Sequence, residues 1–173
     1  MKDHESICAK CYAGTQQARQ HGLDDNNALN YFILNSILIS DELATMIPIY
    51  STYGRIESFG DVASVLQARN YIRIIRTHKN TQFGIWSKNV AIWEKAFDEE
   101  GKPENCTFVQ SSKKLNEREE PANEYVDHVF TVWENEEIAN ENGVQITCGG
   151  RKCITCLRCY KACTEMYVDE LLK

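Results

Sequence analysis

Five cysteines fall within residues 148–163, spaced Cys148-x4-Cys153-x2-Cys156-x2-Cys159-x3-Cys163, and a further pair, Cys8-x2-Cys11, stands near the other end of the chain. A thiolate is costly to hold without a metal or a positive dipole beside it, and two-residue gaps let two sulfurs turn toward one ion. The last four cysteines reproduce a run of three at two-residue gaps with a fourth three residues on, the pattern that ligation of an iron–sulfur cluster explains. The expected cofactor is therefore an iron–sulfur cluster of the 4Fe-4S type, with Cys8, Cys11, Cys148, Cys153, Cys156, Cys159 and Cys163 as candidate metal ligands. Zinc is the alternative, because Cys8 and Cys11 with Cys153 and Cys156 make an acceptable four-cysteine site that joins the two ends of the chain. Thr164 stands where ferredoxins carry a proline after the last cysteine, and the α/β pattern of the remaining chain excludes a ferredoxin fold.

Other chemistry-bearing residues are fewer. Cys106 opens a predicted buried strand and reads as a small apolar core residue rather than a ligand. Tyr12 and Tyr160 each follow a cysteine directly and are expected to shield a metal from water. His128, beside Asp127 on a predicted strand, reads as a satisfied structural residue before an acid or base. No nucleophile elbow, phosphate-binding glycine loop or paired-carboxylate signature occurs, which leaves hydrolase and kinase readings without support.

A body must position these sulfurs. With 173 residues, 43% of them apolar, the chain can bury a core without cross-links, so disulfides are not structurally required. Residues 1–10 are polar where a secretory signal needs an apolar stretch, and the apolar-rich segment 29–49 is broken by Asn30, Asn35, Ser40, Asp41 and Glu42. A cytoplasmic protein with no membrane partner is expected, and in that compartment thiols stay reduced and clustered cysteines favour metal. The net charge of −6 is interleaved along the chain, which disfavours nucleic acid and leaves a small molecule or a protein as the partner. A basic strip, Arg69, Arg73, Arg76, His78 and Lys79, reads as a solvated helix face.

Periodicity predicts the elements. A short helix is expected over residues 13–20. A longer one is capped by Asp24, Asp25 and Asn26 and carries Leu29, Phe32, Ile33, Ile37 and Leu43 at helical spacing as far as Met46. A strand over 49–58 follows Pro48, then a turn over 58–61 and a helix over 61–77. A strand over 82–87, a helix over 90–97 and a strand over 106–110 continue the alternation. Residues 111–125 form a polar loop long enough to act as a lid. Beyond it come a strand over 126–133, a short acidic helix or turn over 134–142, a small strand over 144–147 and a terminal helix over 165–173. The pattern predicts one α/β domain over residues 1–173, a partial (βα) barrel or open parallel sheet, with the cysteine-rich metal-binding tail 148–163 folded against it.

Open α/β sheets bind ligands beyond the carboxyl ends of their strands. Arg55, Glu57 and Asp61 end the first predicted strand, Lys88 follows the second and Ser111 the third, so these five are the candidate cofactor-binding residues. Arg55 and Lys88 suit a carboxylate or phosphate, and Glu57 or Asp61 an amine or ribose hydroxyl. Each has a local role to weigh against this: Asp61 can cap the next helix, and Glu57 can pair with Arg55 or Lys88.

Four stretches carry a resemblance: Cys8-Ala9-Lys10-Cys11-Tyr12-Ala13, Gly54-Arg55-Ile56-Glu57-Ser58-Phe59-Gly60-Asp61, Phe83-Gly84-Ile85-Trp86-Ser87-Lys88, and Cys159-Tyr160 at the end of the cysteine run. The chain resembles the phage and bacterial family called gene product eighty-eight. That family is similar in turn to radical S-adenosylmethionine proteins, through the Cys-x2-Cys-Tyr-Ala opening and the successive βα units. The resemblance implies an iron–sulfur protein with S-adenosylmethionine as a second cofactor, a redox or radical enzyme of unspecified substrate whose cluster delivers an electron. His4-x3-Cys8-x2-Cys11 would then supply three cluster ligands with histidine first. The competing readings are a nonenzymatic protein-interaction module stapled by zinc, and a cluster-containing electron carrier or redox sensor.

Overall fold

The computed structural model describes residues 23–58, 60–149, 152–162 and 165–172. His4, Cys8, Cys11, Tyr12, Cys163 and the helix expected over 13–20 lie outside them. Two helices come first, α1 (Leu23–Ser36) and α2 (Asp41–Thr45), then β1 (Tyr53–Ile56), α3 (Val65–Thr77), β2 (Gln82–Ser87), α4 (Val90–Glu100) and β3 (Cys106–Ser111). Next come β4 (His128–Trp133), α5 (Glu136–Glu141), a single helical turn α6 (Cys153–Cys156), a 3-10 turn (Arg158–Tyr160) and β5 (Tyr167–Leu171). The five strands form one open sheet in the order β1-β2-β3-β4-β5, every pair parallel. No described helix is long and apolar enough to cross a membrane.

Parallel neighbours in sequential order need crossovers of one hand, which puts the connections on one face of the sheet. Side chains alternate between faces, and the register shows which residues go where. Phe83 and Ile85 of β2, Phe108 of β3 and Val129 of β4 share a buried cluster with Ala68, Ile72 and Ile75 of α3 and Trp93, Ala96 and Phe97 of α4. The rings of Trp93, Phe97 and Phe108 stand 5.5–6.0 Å apart at its centre. By alternation, Tyr53, Arg55, Gly84, Trp86, Thr107, Val109, His128, Phe130 and Val168 point to the opposite face, which α3 and α4 leave uncovered.

Local chemistry sets the helix ends. The Ser64 hydroxyl accepts from the Gln67 N–H at 3.1 Å and starts α3. Gly101, at φ 78°, closes α4 by donating to the Phe97 carbonyl at 2.7 Å, a left-handed conformation that glycine adopts without strain. Arg69, Arg73 and Arg76 are not a solvated strip: all three reach the Glu100 carboxylate and tie α3 to the end of α4.

Several sequence expectations are corrected. The helix expected to run as far as Met46 breaks at residues 37–40, where Ser40 caps α2. The chain is already helical at Leu23, so Asp24, Asp25 and Asn26 lie inside α1 rather than before it. Leu29, Phe32, Ile33, Ile37 and Leu43 do not face the core; Phe32 is 67% exposed. The α1–α3 contact joins Leu34, packed with Ile39, Ala44 and Ile74, to fully buried Asn70, whose amide donates to the Leu34 and Ile37 carbonyls and accepts from the Ile39 N–H. Residues 144–147 make no strand, and pairing there is confined to a bridge between Cys148 and Glu170.

The terminal helix expected over 165–173 is strand β5. Glu170 and Leu171 suit a helix, but Tyr167 and Val168 suit a strand, and the open edge of β4 accepts one with Val168 and Asp169 buried. The loop after β3 does not hang free as a lid. Arg118 pairs with Asp169 at 2.7 Å and lies over the Tyr167 ring, and Glu120 accepts from the Tyr167 hydroxyl. The segment thereby takes the place of a crossover helix.

Candidate metal centre

The β4–β5 connection runs around an edge of the sheet. Trp133, Ala139 and Val144 cluster with Ile138 and Leu171 on the helix-bearing side. The chain then passes beside β5, where the N–H groups of Thr147 and Cys148 donate to the Asp169 carbonyl at 3.0 and 2.8 Å. From there it crosses to the helix-free face, where the 3-10 turn packs on β2 and β3.

Three residue choices shape the cysteine segment. Cys153 and Cys156 are three apart on the one turn of α6, which puts them on the same side. Leu157 then takes a left-handed conformation, φ 56°, and its N–H closes the turn on the Cys153 carbonyl at 2.8 Å. The reversal brings Cys159 back toward the pair. Tyr160 anchors the turn in a nest of aromatic rings, 5.5 Å from Trp86 and 5.4 Å from Tyr53, both edge-on. Gly84 makes room for this, since a β-carbon there would stand 2.5 Å from the Trp86 ring and 3.2 Å from that of Tyr160.

The result is a cavity of about 330 Å³ into which Cys148, Cys153, Cys156 and Cys159 all open, walled by Trp86, Leu157, Arg158, Tyr160 and Val168. Cys153 and Cys156 are exposed, and Cys148 and Cys159 are half-buried. Among the described residues no three His, Cys, Asp or Glu side chains stand in a metal-holding arrangement, so the thiols share the cavity without being drawn to ligation distance. They are close enough to act on one another. Burial pushes the Cys159 thiol up to about 12, the charges of Cys148, Cys153 and Cys156 push the same way, and the Arg158 guanidinium opposes them. Arg158 is held by Glu165 at 3.3 Å and donates to the Thr147 carbonyl. Burial likewise raises the Tyr160 hydroxyl.

The candidate cofactor-binding residues occupy the carboxyl ends of the strands, with several already engaged. Arg55 lies over the Trp86 ring at 4.4 Å, next to the cavity wall. Glu57, at φ 53°, turns back onto α3 and accepts from the Tyr71 hydroxyl at 2.5 Å and the Gln67 amide at 2.8 Å. Burial raises its carboxyl, the Tyr71 hydrogen bond works against that, and the nearby Asp61 charge adds to the rise. Asp61 spends both oxygens on the fold, accepting from the Ser87 hydroxyl and the Lys88 N–H and fixing the loop after β1 to the end of β2. Ser111 ends β3 half-buried. Cys106 lies in the core cluster, where burial pushes its thiol up to about 12, in keeping with the core role read from its strand.

Sequence reading missed Trp86, taken only as part of a buried strand, and the alternation of Gly84 with Trp86 was the signal available for a ring seated on the sheet. His128 is fully buried and hydrogen-bonded to main-chain carbonyls, as the structural reading expected. No curated protein and no solved structure matches this chain. Residues 2–166 match the Gene product 88 family, and the chain belongs to it.

Proposed function

We propose that the chain is a thiolate metalloprotein in which Cys148, Cys153, Cys156 and Cys159 hold an iron–sulfur cluster on the helix-free face of the sheet. The observation that carries this is the convergence of four cysteines on one cavity. Burial first, and the charges of Cys148, Cys153 and Cys156 second, push the Cys159 thiol up towards its protonated state; a bound metal would reverse that balance and hold it as a thiolate. Cys163, Cys8 and Cys11 are further candidate ligands from segments outside the described residues.

A redox or radical enzyme using S-adenosylmethionine is the more specific form of this reading. It is supported by the family resemblance and by Arg55, whose guanidinium lies over the Trp86 ring of the cavity wall. Calorimetric titration with S-adenosylmethionine tests it.

The metal itself is tested by anaerobic purification followed by iron, acid-labile sulfide and zinc analysis. The expected result is a coloured protein with stoichiometric iron and sulfide that bleaches in air, and loss of both in a Cys153→Ser, Cys156→Ser variant. A colourless, air-stable protein with stoichiometric zinc would replace the cluster with a zinc-stapled interaction module, and a protein free of both metals would end the reading altogether.

A further inference from the structure

We propose that the outward face of α1 is the interface of a homodimer, in which a second copy of this chain covers it across a two-fold axis. All nine large apolar side chains that are exposed among the described residues lie between residues 29 and 50, at 37–95% exposure. No described side chain of α1 is buried, and only Asn27, Leu34 and Asn35 are half-buried. Leu34 packs with Ile39, Ala44 and Ile74, and the Asn35 amide donates to the Gln67 side chain at 3.3 Å, so this is the edge of α1 that α3 holds. Leu29, Phe32 and Ile33, at i, i+3 and i+4, share the face turned away from Leu34. Asn26, Asn30 and Ser36 flank that face with exposed, uncharged hydrogen-bonding groups.

A helix of 14 residues is marginal in water on its own, and one that is apolar toward solvent lacks a covering surface. At about 200 Å² for a large side chain in full exposure, the nine present on the order of 1,000 Å². The largest apolar patch on a typical monomer is ~300–600 Å², and each side of a standard interface buries ~800 Å². The apolar surface is therefore larger than a monomer ordinarily leaves in water and sufficient for a stable dimer.

Charge and composition select the occupant. Residues 26–40 contain no Asp, Glu, Lys or Arg. A two-fold axis sets the patch against its own copy, so a charge at its centre would face its like; this run offers none. Depletion of charge with aromatic residues at the centre, here Tyr31 and Phe32, and a polar rim is the composition of an interface between proteins. A lipid surface fits poorly, because a helix lying on a membrane carries Lys or Arg on its polar face, whereas the charged residues of α1 are Asp24 and Asp25. Residues 1–22 have Met1, Ile7 and Tyr12 as their large apolar side chains, too few to cover nine.

Sedimentation velocity of the full chain over a range of concentrations tests this. A monomer in dilute solution should give way to a dimer at tens of micromolar, with no larger species, because a two-fold contact closes on itself. Phe32→Lys sets a cation on each side of the axis, while a lysine toward the carboxyl end of a helix suits the protomer's fold. It should raise the dissociation constant by roughly tenfold or more, as loss of a residue at the centre of an interface does. In dilute solution its urea midpoint should stay at the wild-type value, since Phe32 serves association and not the fold of one protomer. Amide exchange over residues 26–38 should slow in the wild type as concentration rises, and should not in the variant.

A wild type that stays monomeric at every concentration would overturn the dimer. Binding of that monomer to anionic lipid vesicles would give the face to a membrane, and no binding would leave it to another protein. A dimer that Phe32→Lys leaves intact, or whose protection falls outside residues 26–38, would overturn this face as the interface. Were the variant unfolded, the wild-type exchange map would decide alone. Metal content is measured separately, and neither the presence nor the absence of iron or zinc alters what sedimentation is expected to show.

Discussion

The thiols of one cavity differ in what the fold does to each. Cys153 and Cys156 are exposed on a single helical turn, whereas Cys159 is half-buried and its thiol is pushed up to about 12. Only the thiolate attacks an alkylating agent, so in metal-free protein at neutral pH iodoacetamide should label Cys153 and Cys156 well before Cys159. Peptide mass spectrometry over a time course checks this, and equal rates at all three positions would contradict the burial described here. Metal should protect all three together. The cysteine spacing singled these residues out in the sequence, and the fold opens Cys148, Cys153, Cys156 and Cys159 onto one cavity. The walls of the cavity were not legible: Trp86, Val168 and Thr147 come from three distant stretches that only sheet pairing brings together. The same limit applied to the strand ends, where Glu57 and Asp61 looked free for a ligand and are engaged by Tyr71, Gln67, Ser87 and the Lys88 N–H.

Among the elements, α3 and α4 are joined by both a core and a charge cluster. Glu100 is mostly buried and accepts from Arg69 and Arg73, with Arg76 close by. Burial pushes its carboxyl up, but the hydrogen bonds and charges of Arg69 and Arg73 outweigh that and hold it below its usual 4.5. A carboxyl with a lowered folded pKa stabilises the fold above its unfolded value and loses that contribution as pH falls through the folded one. Glu100→Gln should therefore cost about 1–3 kcal/mol at neutral pH, between the values for exposed and buried pairs. The difference from wild type should shrink below pH 4.5, where the unfolded carboxyl also binds its proton. Urea denaturation across that range checks the sign. The helix–strand alternation from β1 to β3 was legible because periodicity there reflects real burial. Where burial and periodicity part, sequence misleads: the apolar spacing of α1 faces outward, and a terminal segment too short to show a period is recruited by an open sheet edge.

For the molecule as a whole, the two faces of the sheet differ in what packs on them. One side carries α3, α4 and the loop pinned by Arg118, and it contains the main aromatic core; the other carries the cysteine segment. Stability and metal binding should accordingly be separable by mutation. Trp93→Ala, at the core centre, should cost about 3–5 kcal/mol, whereas Phe32→Ala on the outward stripe of α1 should stay within about 0.5 kcal/mol. Chemical denaturation of the two variants would refute this division if Phe32→Ala proved the costlier. Finally, the strand that seats the cysteines, β5, comes after them in the chain and slots between β4 and Cys148. A ribosome builds from the amino end, so every nascent copy displays its sulfurs before the backbone that aligns them exists. On the proposed metal reading, oxidation and capture by the wrong ion are hazards of biosynthesis for this molecule, and loading follows translation of β5.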